Sequence, residues 1–275
     1  MQRVAIQGEL GSNSHMAARQ MLGEQVEIVP CAVSHEVLDA VVAGRVDGAV
    51  LPIENSLHGS VAEHYDLLLE RPVAIMAESL LRIRHNLIAM PGVQLSQLRH
   101  VLSHPVALSQ CRRFLREHPE LQAMPFYDTA GSVKELMQKG LRDTAGIAPE
   151  LAAQQYGGQV LLAGIEDHTE NYTRFHLIQR RNADTPRASG VPCNKLSLAF
   201  TLQHRPGTLV AALELLASAG VNLTKIESRP VQGSPWEYVF YVDVRYEREA
   251  MVDQALEALK QHCGIVKELG RYVAA

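Results

Sequence analysis

Five short polar segments of this sequence contain the side chains that could do chemistry. They are residues 8–15, 52–60, 103–111, 128–132 and 171–175. Together they offer many neutral hydrogen-bond donors and one arginine, Arg174, but no Ser-His-Asp pattern, P-loop or metal-binding cluster. A pocket lined in this way suits a small polyanion whose reaction needs positioned charge stabilisation and one proton transfer.

The first two segments follow predicted strands, and α/β sheets bind their ligands at such strand ends. Ser12 and Ser14 lie at the start of a predicted helix, whose free N–H groups attract anions. An ordinary N-cap after a tight turn explains these serines equally well. Glu54 and Asn55 come directly after a strand that is apolar enough to be buried, which favours a function over a capped hydrophilic loop.

The other three segments supply further hydroxyl, amide and guanidinium groups. Ser103 ends a predicted strand, Gln110 lies in the helix that follows, and Thr129 lies in a further strand-to-helix turn. Thr173 and Arg174 open the last strand of this part of the chain. Each of these residues taken singly is most simply structural, but five polar strand ends together indicate the walls of one cleft.

Short β-type runs alternate with helical patterns through the first 180 residues, which predicts an α/β fold with parallel strands. We interpret residues 1–180 as a catalytic domain of two lobes. Lobe one comprises about residues 1–78 plus 165–180, and lobe two comprises about residues 79–164. Within them we predict a third strand over residues 48–52 and one continuous helix over residues 105–116.

The sequence changes character after residue 180. Residues 181–194 contain Pro186, Gly190 and Pro192, which interrupt any periodicity and predict a linker. The pattern over residues 195–275 predicts strand, helix, two strands, helix and strand. This βαββαβ order is that of a split-βαβ unit, with two helices on one face of a single sheet.

Composition excludes several classes of protein. The net charge is −4 over 275 residues, so we expect no nucleic-acid partner. The four cysteines form no CxxC pair, which indicates a reducing compartment rather than a disulfide framework. The sequence contains neither a signal-peptide pattern at its start nor a long apolar run, so we expect a cytoplasmic location and no membrane partner.

The motifs, taken together and in this order, resemble those of the prephenate dehydratase family. The glycine-serine loop at residues 8–15 is followed by Pro-Ile-Glu-Asn-Ser at 52–56, His-Pro through Gln-Cys at 104–111, and Thr-Arg-Phe at 173–175. The C-terminal unit resembles an ACT domain. The resemblance implies a two-lobed catalytic domain like type II periplasmic binding proteins, followed by a ferredoxin-like ACT domain.

The resemblance also implies an activity and roles for individual residues. Prephenate would be converted to phenylpyruvate, carbon dioxide and water in L-phenylalanine biosynthesis, with no cofactor and no metal. Thr173, Glu54 and Asn55 would be catalytic. Substrate binding would fall to Ser12, Ser14, Ser103, Gln110, Thr129, Arg174 and Phe175. Whether Thr173, a water or Glu54 supplies the proton stays open, because an unperturbed alcohol is a poor proton donor.

The resemblance of the C-terminal unit to an ACT domain implies L-phenylalanine as an allosteric effector. The effector site would be built from Gly207, Thr208, Leu209, Val210, Asn222, Leu223, Glu227, Ser228, Arg229 and Pro230. The exposed edge of the predicted sheet favours a homodimer or homotetramer formed through this domain.

Two other functions remain open. An arogenate dehydratase would use the same residues on a substrate with an amine in place of the keto group. A non-catalytic two-lobed ligand-binding protein belongs to a different class. The missing export signal and the Thr-Arg-Phe segment at residues 173–175 argue against it.

Overall fold

A computed structural model describes residues 1–181, 192–231 and 237–275. Over these residues it confirms the mixed α/β class, and the described strands form three sheets. The chain divides into two compact units. The first comprises Met1–Val61 and Ser79–Phe175, and the second comprises Ala62–Glu78 and His176–Ala275. Residues 182–191 of the predicted linker lie outside the described residues, and the predicted boundaries of the lobes and linker stay predictions.

The first sheet has the strand order β2-β1-β3-β11-β5, and β4 pairs with β3. Its strands are β1 (Arg3–Gln7), β2 (Glu27–Cys31), β3 (Gly48–Asn55), β4 (Gly59–Ser60), β5 (Val73–Arg82) and β11 (Tyr172–Arg180). The helices are α1 (Asn13–Leu22), α2 (Ser34–Val42) and α3 (Ala62–Glu70). β1 pairs with β2 and β3 in parallel, as the βαβ pattern predicts.

β3 is longer than predicted and ends in a hairpin. The sequence predicts a strand over residues 48–52, but β3 continues to Asn55 and pairs antiparallel with β4, with Glu54 opposite Ser60 and Asn55 opposite Gly59. The Asn55 side chain stabilises the turn by accepting hydrogen bonds from the backbone N–H groups of Leu57 and His58, both at 3.0 Å. Glu54 and Asn55 therefore lie on a strand rather than in a loop.

The second sheet has the order β10-β6-β9-β7-β8. Its strands are β6 (Asn86–Ala89), β7 (His100–Ser103), β8 (Gln122–Pro125), β9 (Thr144–Ala148) and β10 (Gln159–Leu162). A 3₁₀ turn (Leu95–Gln97) and the helices α4 (Pro105–Ser109), α5 (Arg112–Glu117), α6 (Thr129–Lys139) and α7 (Glu150–Tyr156) accompany them. β7 runs parallel to β8 and β9, whereas β6 runs antiparallel to β9 and β10. The sheet is therefore mixed, and the prediction of parallel strands is wrong for β6 and β10.

The prediction of one helix over residues 105–116 is wrong, because the helix breaks at Gln110 and Cys111. Asp167 causes the break. Its carboxylate accepts hydrogen bonds from the N–H groups of Arg112 (3.0 Å) and Arg113 (2.8 Å), which starts α5 afresh. The N–H of Asp167 donates to the carbonyl of Gln110 at 2.7 Å, which satisfies the end of α4.

The C-terminal sheet confirms the βαββαβ prediction. Its elements are β12 (Lys195–Leu202), α8 (Thr208–Ser218), β13 (Asn222–Pro230), β14 (Tyr238–Arg245), α9 (Glu249–His262) and β15 (Val266–Tyr272). The four strands form an antiparallel sheet in the order β13-β14-β12-β15. Apolar residues of β12 and β14 pack with one side of α8 and α9 to form its core.

The second unit also contains a buried polar cluster. The Lys195 ammonium lies 2.8 and 3.0 Å from the two oxygens of Glu78, and both side chains are almost fully buried. Ser197 donates a hydrogen bond to Asp243. Because breaking a buried ion pair leaves an uncompensated charge, this cluster fixes how residues 73–78 join the C-terminal strands. Among the described residues, no helix combines the length and apolar character needed to cross a membrane.

Candidate active site

The amide of Asn55 is the centre of the candidate site. Its nitrogen lies 2.8 Å from the side-chain oxygen of Asn171, 3.0 Å from the hydroxyl oxygen of Thr173 and 3.2 Å from the carbonyl of Tyr172. Its oxygen accepts the two N–H groups that close the β3–β4 turn. One side chain therefore joins the C-terminal end of β3 to the start of β11, and the structure brings Asn55 and Thr173 together.

Glu54 and Arg174 form a second pair beside the first. A guanidinium nitrogen of Arg174 donates to the Glu54 carboxylate at 3.0 Å. Arg174 is largely buried, whereas the Glu54 side chain is 36% exposed. Successive side chains of a strand point to opposite faces, so the Glu54–Arg174 pair lies on one face of the sheet and the Asn55–Thr173 pair on the other.

The hydrogen bond from Asn55 determines how Thr173 can act. A hydroxyl has one proton to donate and accepts through its oxygen lone pairs. Because Asn55 already donates to the Thr173 oxygen, the Thr173 proton is available for a different acceptor. In the described part of the chain, Thr173 has no histidine or carboxylate as a hydrogen-bond partner. Its surroundings therefore suit a hydrogen-bond donor rather than an activated nucleophile.

The glycine-serine loop, residues 8–15, is held by a histidine. The N–H of Gly11 donates to Nδ1 of His15 at 2.9 Å, and Ser12 caps α1 by accepting the N–H of His15 at 3.4 Å. Burial lowers the pKa of His15 to about 4, so the ring is neutral near pH 7. Ser12 and Ser14 are both buried, and the structure gives Ser12 a capping role.

Two glycines let this loop approach its neighbours closely. Gly8 and Gly11 have φ angles of +93° and +85°, which other residues rarely adopt. A Cβ on Gly8 would lie 2.5 Å from a carboxylate oxygen of Asp128, and one on Gly11 would lie 2.7 Å from Cα of Ala152. The loop is thus packed against the N-terminal ends of α6 and α7.

Charged residues that the sequence patterns did not single out cross-link this loop to α6. Glu9 accepts hydrogen bonds from the hydroxyl of Tyr127 at 2.9 Å and from Lys134 at 2.8 Å. Asp128 caps α6 through the N–H of Gly131, and burial raises the pKa of the Asp128 carboxyl. No spacing rule links Glu9 to residues more than a hundred positions away, so only the tertiary structure reveals this cross-link.

Several predicted substrate contacts are occupied or buried in the fold. Ser103 is fully buried and donates to the carbonyl of Ile147 at 2.6 Å. Phe175 is 1% exposed and belongs to the core. Neither side chain has surface to offer a ligand in this arrangement. Thr129 opens α6 and is half-buried. Substrate binding by these residues stays a prediction.

Gln110 lies beside the β3–β4 turn, but both ends of its amide have protein partners. Its oxygen lies 2.7 Å from Nε2 of His85, and its nitrogen lies 3.1 Å from Nδ1 of His58. His58 lies in the polar segment 52–60 without a predicted role, and His85 lies outside all five segments. In the described residues, no group of three or more histidine, cysteine or acidic side chains is arranged to hold a metal ion.

The first predicted regulatory motif, residues 207–210, lines a cavity of about 190 Å³ in the second unit. Gly207 has a φ of +85° and is the N-cap of α8. The Thr208 hydroxyl donates to the carbonyls of Gln203 and Arg205, which precede the N-terminus of this helix. Tyr238 and Phe240 of β14 complete the wall. In the sheet register they stand opposite Pro230 and Ser228 of the second predicted regulatory motif, residues 227–230.

Within the second motif, Arg229 is held by α3. Its guanidinium donates to the Asp66 carboxylate at 2.7 Å, and the hydroxyl of Tyr241 donates to the other oxygen of Asp66 at 3.0 Å. This hydrogen bond and the negative charge raise the pKa of Arg229. Glu227 pairs with Lys225 at 3.9 Å. The remaining predicted effector residues are Asn222 and Leu223, which are exposed at the start of β13.

Comparison with known proteins now decides the family. The model of the prephenate dehydratase family matches residues 4–183, and that of the ACT domain matches residues 197–264. This chain belongs to the prephenate dehydratase family. Both the family and the domain order implied by the sequence motifs are confirmed.

Three relatives illustrate the range of this family. Arogenate dehydratase/prephenate dehydratase 2 of Arabidopsis thaliana is 40% identical over 98% of this chain and 72% of its own length. The crystal structure of prephenate dehydratase from Arthrobacter aurescens in complex with L-Phe has 32% identity and a TM-score of 0.90, covering 99% of this chain and 90% of that one. A structure described as GqqA, a novel type of quorum quenching acylase, has 34% identity and a TM-score of 0.89, covering 99% and 98%.

Because His15 of the glycine-serine loop is buried, we predict that the folding stability of this prephenate dehydratase family member falls in acid. The unfolded chain takes up a proton on His15 near pH 6.5, whereas the folded protein does so only near pH 4. Stability contributed by neutral His15 is therefore lost as pH falls through this window, by at most about 1.4 kcal/mol per pH unit.

His15→Asn tests this prediction, because asparagine keeps a hydrogen-bond acceptor near Nδ1 but does not titrate. Urea midpoints measured between about pH 7 and pH 5 should fall less steeply for this variant than for the wild type. His35→Asn, at an exposed position on α2, is the matched control and should keep the wild-type slope. Identical slopes for His15→Asn and the wild type would contradict the prediction.

The contact between Asp66 and Arg229 predicts a change in effector affinity. If Arg229 contributes to phenylalanine binding, Asp66→Asn removes the charge that orients it, and the Kd for L-phenylalanine should rise roughly threefold to tenfold. Calorimetric titration of the full-length protein measures this. Glu63→Gln removes an exposed charge from the same helix and should leave Kd unchanged. A wild-type Kd in Asp66→Asn would contradict a role of the Asp66–Arg229 contact in phenylalanine binding.

Proposed function

We propose that this protein converts prephenate to phenylpyruvate, carbon dioxide and water. The observation that carries the proposal is the Thr173 hydroxyl, whose oxygen accepts from Asn55 and whose proton remains available, next to the Arg174–Glu54 pair at adjacent strand ends. The family to which the chain belongs supports the same reaction.

The reaction needs few groups because its driving force lies in the product. The ring carboxylate leaves as carbon dioxide, and the electron pair of its C–C bond moves into the ring. The C–O bond to the ring hydroxyl then breaks, and the departing hydroxide takes up one proton to leave as water. A new aromatic ring results with no change in overall oxidation state, so no redox or electron-sink cofactor is required.

Thr173 and Arg174 fit two different tasks in this reaction. A hydrogen bond from Thr173 to the departing hydroxyl grows stronger as negative charge develops there, which lowers the barrier. The bond that Asn55 donates to Thr173 polarises the hydroxyl and makes its proton a better donor. Arg174, oriented by Glu54 on the other face of the sheet, supplies the positive charge for a substrate carboxylate, which reaches the guanidinium around the strand ends. Glu54 lies on the Arg174 face, which favours Thr173 as the neighbour of the leaving group.

Two substitutions of Thr173 should distinguish the role of its hydroxyl from that of its methyl group. Thr173→Ala removes the donor and should lower kcat by about 100- to 1000-fold, the usual cost of losing one donor to a developing oxyanion. Thr173→Ser keeps the hydroxyl, so its kcat should stay within about tenfold of the wild type. Steady-state kinetics with prephenate measure both. Near-wild-type kcat in both variants would remove Thr173 from the mechanism.

L-phenylalanine is the effector in this proposal, and it binds in the cavity beside residues 207–210. The ACT domain supports this choice, as does the related Arthrobacter aurescens enzyme, whose structure is a complex with L-Phe. Binding would lower the activity only if the effector prefers the inhibited conformation. A homodimer or homotetramer formed along β13 is part of the proposal, because this edge strand exposes Leu223 and Ile226. A cytoplasmic location is supported by the four free cysteines.

One assay tests the activity and its regulation together. Phenylpyruvate formation from prephenate should proceed after dialysis against a chelator and should fall when L-phenylalanine is added. No phenylpyruvate from any preparation of folded protein would refute the proposed function, and turnover would exclude a protein that only binds its ligand. Turnover that is indifferent to L-phenylalanine would refute the regulatory part alone.

Arogenate is a second candidate substrate. The Arabidopsis thaliana relative at 40% identity is named for both arogenate and prephenate, which is the observation that favours this alternative. Parallel assays with the two substrates, compared by kcat/KM, decide between them. Acyl hydrolysis, which the name of another relative mentions, is not favoured, because it needs a nucleophile activated by a base and the hydrogen-bond partner of Thr173 is an amide donor.

A further inference from the structure

The turn between β3 and β4 is anchored to the end of α4 by the side chain of His58. This residue is exposed, and no family motif or spacing argument assigned it a role. Nδ1 of His58 lies 3.1 Å from the amide nitrogen of Gln110, and Nε2 lies 3.1 Å from the hydroxyl of Ser109. Ser109 is the last residue of α4 and Gln110 is its C-cap, and both lie more than fifty positions further along the chain.

The direction of every hydrogen bond in this group follows from its members. Ser109 has one hydroxyl proton, and it donates to the carbonyl of Val106 at 2.7 Å. The Ser109 oxygen therefore accepts from Nε2–H of His58, which leaves Nδ1 of His58 as an acceptor for the amide N–H of Gln110. The Gln110 oxygen then accepts from Nε2–H of His85 at 2.7 Å.

His85 gives this group a fixed starting point. The ring is 2% exposed, and burial lowers its pKa, so it is neutral and has one N–H to donate. Its backbone N–H is also fixed, by donation to the carboxylate of Glu166 at 2.9 Å. The amide of Gln110 is therefore held at both ends, with its oxygen on His85 and its nitrogen on His58.

The same hydrogen bonds continue from His58 to Thr173. The backbone N–H of His58 donates to the side-chain oxygen of Asn55 at 3.0 Å, and the side-chain nitrogen of Asn55 donates to Thr173 at 3.0 Å. The amide of Asn55 can make both bonds only while the turn keeps its shape. The side chain of His58 ties this turn to α4, so its ring controls that shape.

We propose that His58 is a positioning residue that holds Asn55, and through it Thr173, in the geometry for catalysis by accepting a hydrogen bond from Gln110. This inference rests on the proposed function. It also changes the role of Gln110, whose amide is a link between two protein groups rather than a substrate contact. Because His58 acts through Asn55 and not on the substrate, its loss should lower kcat more than it raises KM.

Asparagine and glutamine at position 58 each keep a different one of the two hydrogen bonds that the His58 ring makes. An asparagine oxygen occupies nearly the place of Nδ1, so His58→Asn keeps an acceptor for Gln110. A glutamine amide reaches the place of Nε2, so His58→Gln keeps only the bond to Ser109. His58→Ala loses both. Because position 58 is exposed, we expect none of the three variants to disturb the packing of the protein core.

The proposal predicts an order of activities for prephenate turnover. His58→Ala and His58→Gln should lower kcat by about three- to tenfold, the effect of one neutral hydrogen bond, with KM changed less than about twofold. His58→Asn should stay within about twofold of the wild type. Thermal midpoints within a few degrees of the wild type would show that folding is intact. Equal losses in His58→Asn and His58→Gln, or no loss in any variant, would overturn the proposal.

A double-mutant cycle with Gln110 tests the link directly. Gln110→Met removes the donor while keeping the length of the side chain. If the two residues act through one hydrogen bond, adding His58→Ala to Gln110→Met should lower kcat by less than about twofold further. Independent, multiplying losses would refute the link. Absence of prephenate turnover in the wild type would instead refute the proposed function, so the two failures are distinguishable.

Discussion

The arrangement of the candidate site depends on one asparagine side chain that is both an acceptor and a donor. The oxygen of Asn55 closes the β3–β4 turn by accepting two backbone N–H groups, and its nitrogen reaches Asn171, Tyr172 and Thr173 at the start of β11. A carboxylate of the same size could close the turn but could not donate to Thr173, and an aliphatic side chain could do neither. These bonds hold a strand end and a strand start, which are separated by more than a hundred residues, within one hydrogen-bonded group.

Around this centre, remaining hydrogen-bond capacity rather than burial separates residues with structural roles from those that are able to meet a substrate, because Thr173 is itself only 8% exposed. Ser103 and Phe175 are buried and satisfied inside the protein, whereas Thr173 retains a proton and Glu54 remains partly exposed. Few catalytic groups are needed, because formation of an aromatic ring drives the proposed reaction. The protein has to provide only a positive charge for a substrate carboxylate and one hydrogen bond to the leaving hydroxyl. Such a reaction needs neither a metal cluster nor a nucleophile with its base.

The boundaries of the compact units differ from those of the family motifs. Residues 62–78 fall inside the match to the prephenate dehydratase family, yet by their contacts they belong to the same unit as the ACT domain. The reason is visible in the polar contacts. Asp66 binds Arg229, and Lys267 donates to the carbonyls of Leu68, Leu69 and Arg71, which satisfies the C-terminal end of α3. Helix α3 directly follows the β3–β4 hairpin in the chain.

The sequence by itself determined the α/β class, the βαββαβ unit, the family and the segments that carry polar side chains. These features depend on hydrophobic periodicity, turn residues and local motifs, all of which are properties of neighbouring positions. Only the tertiary structure decided that β3 runs on to Asn55, that Asp167 divides the predicted helix, and that His58 binds Gln110. The last two results depend on hydrogen bonds between residues distant in sequence, and no periodic pattern records which distant donor will meet which acceptor. The extension of β3 depends on a short hairpin that the Asn55 side chain closes.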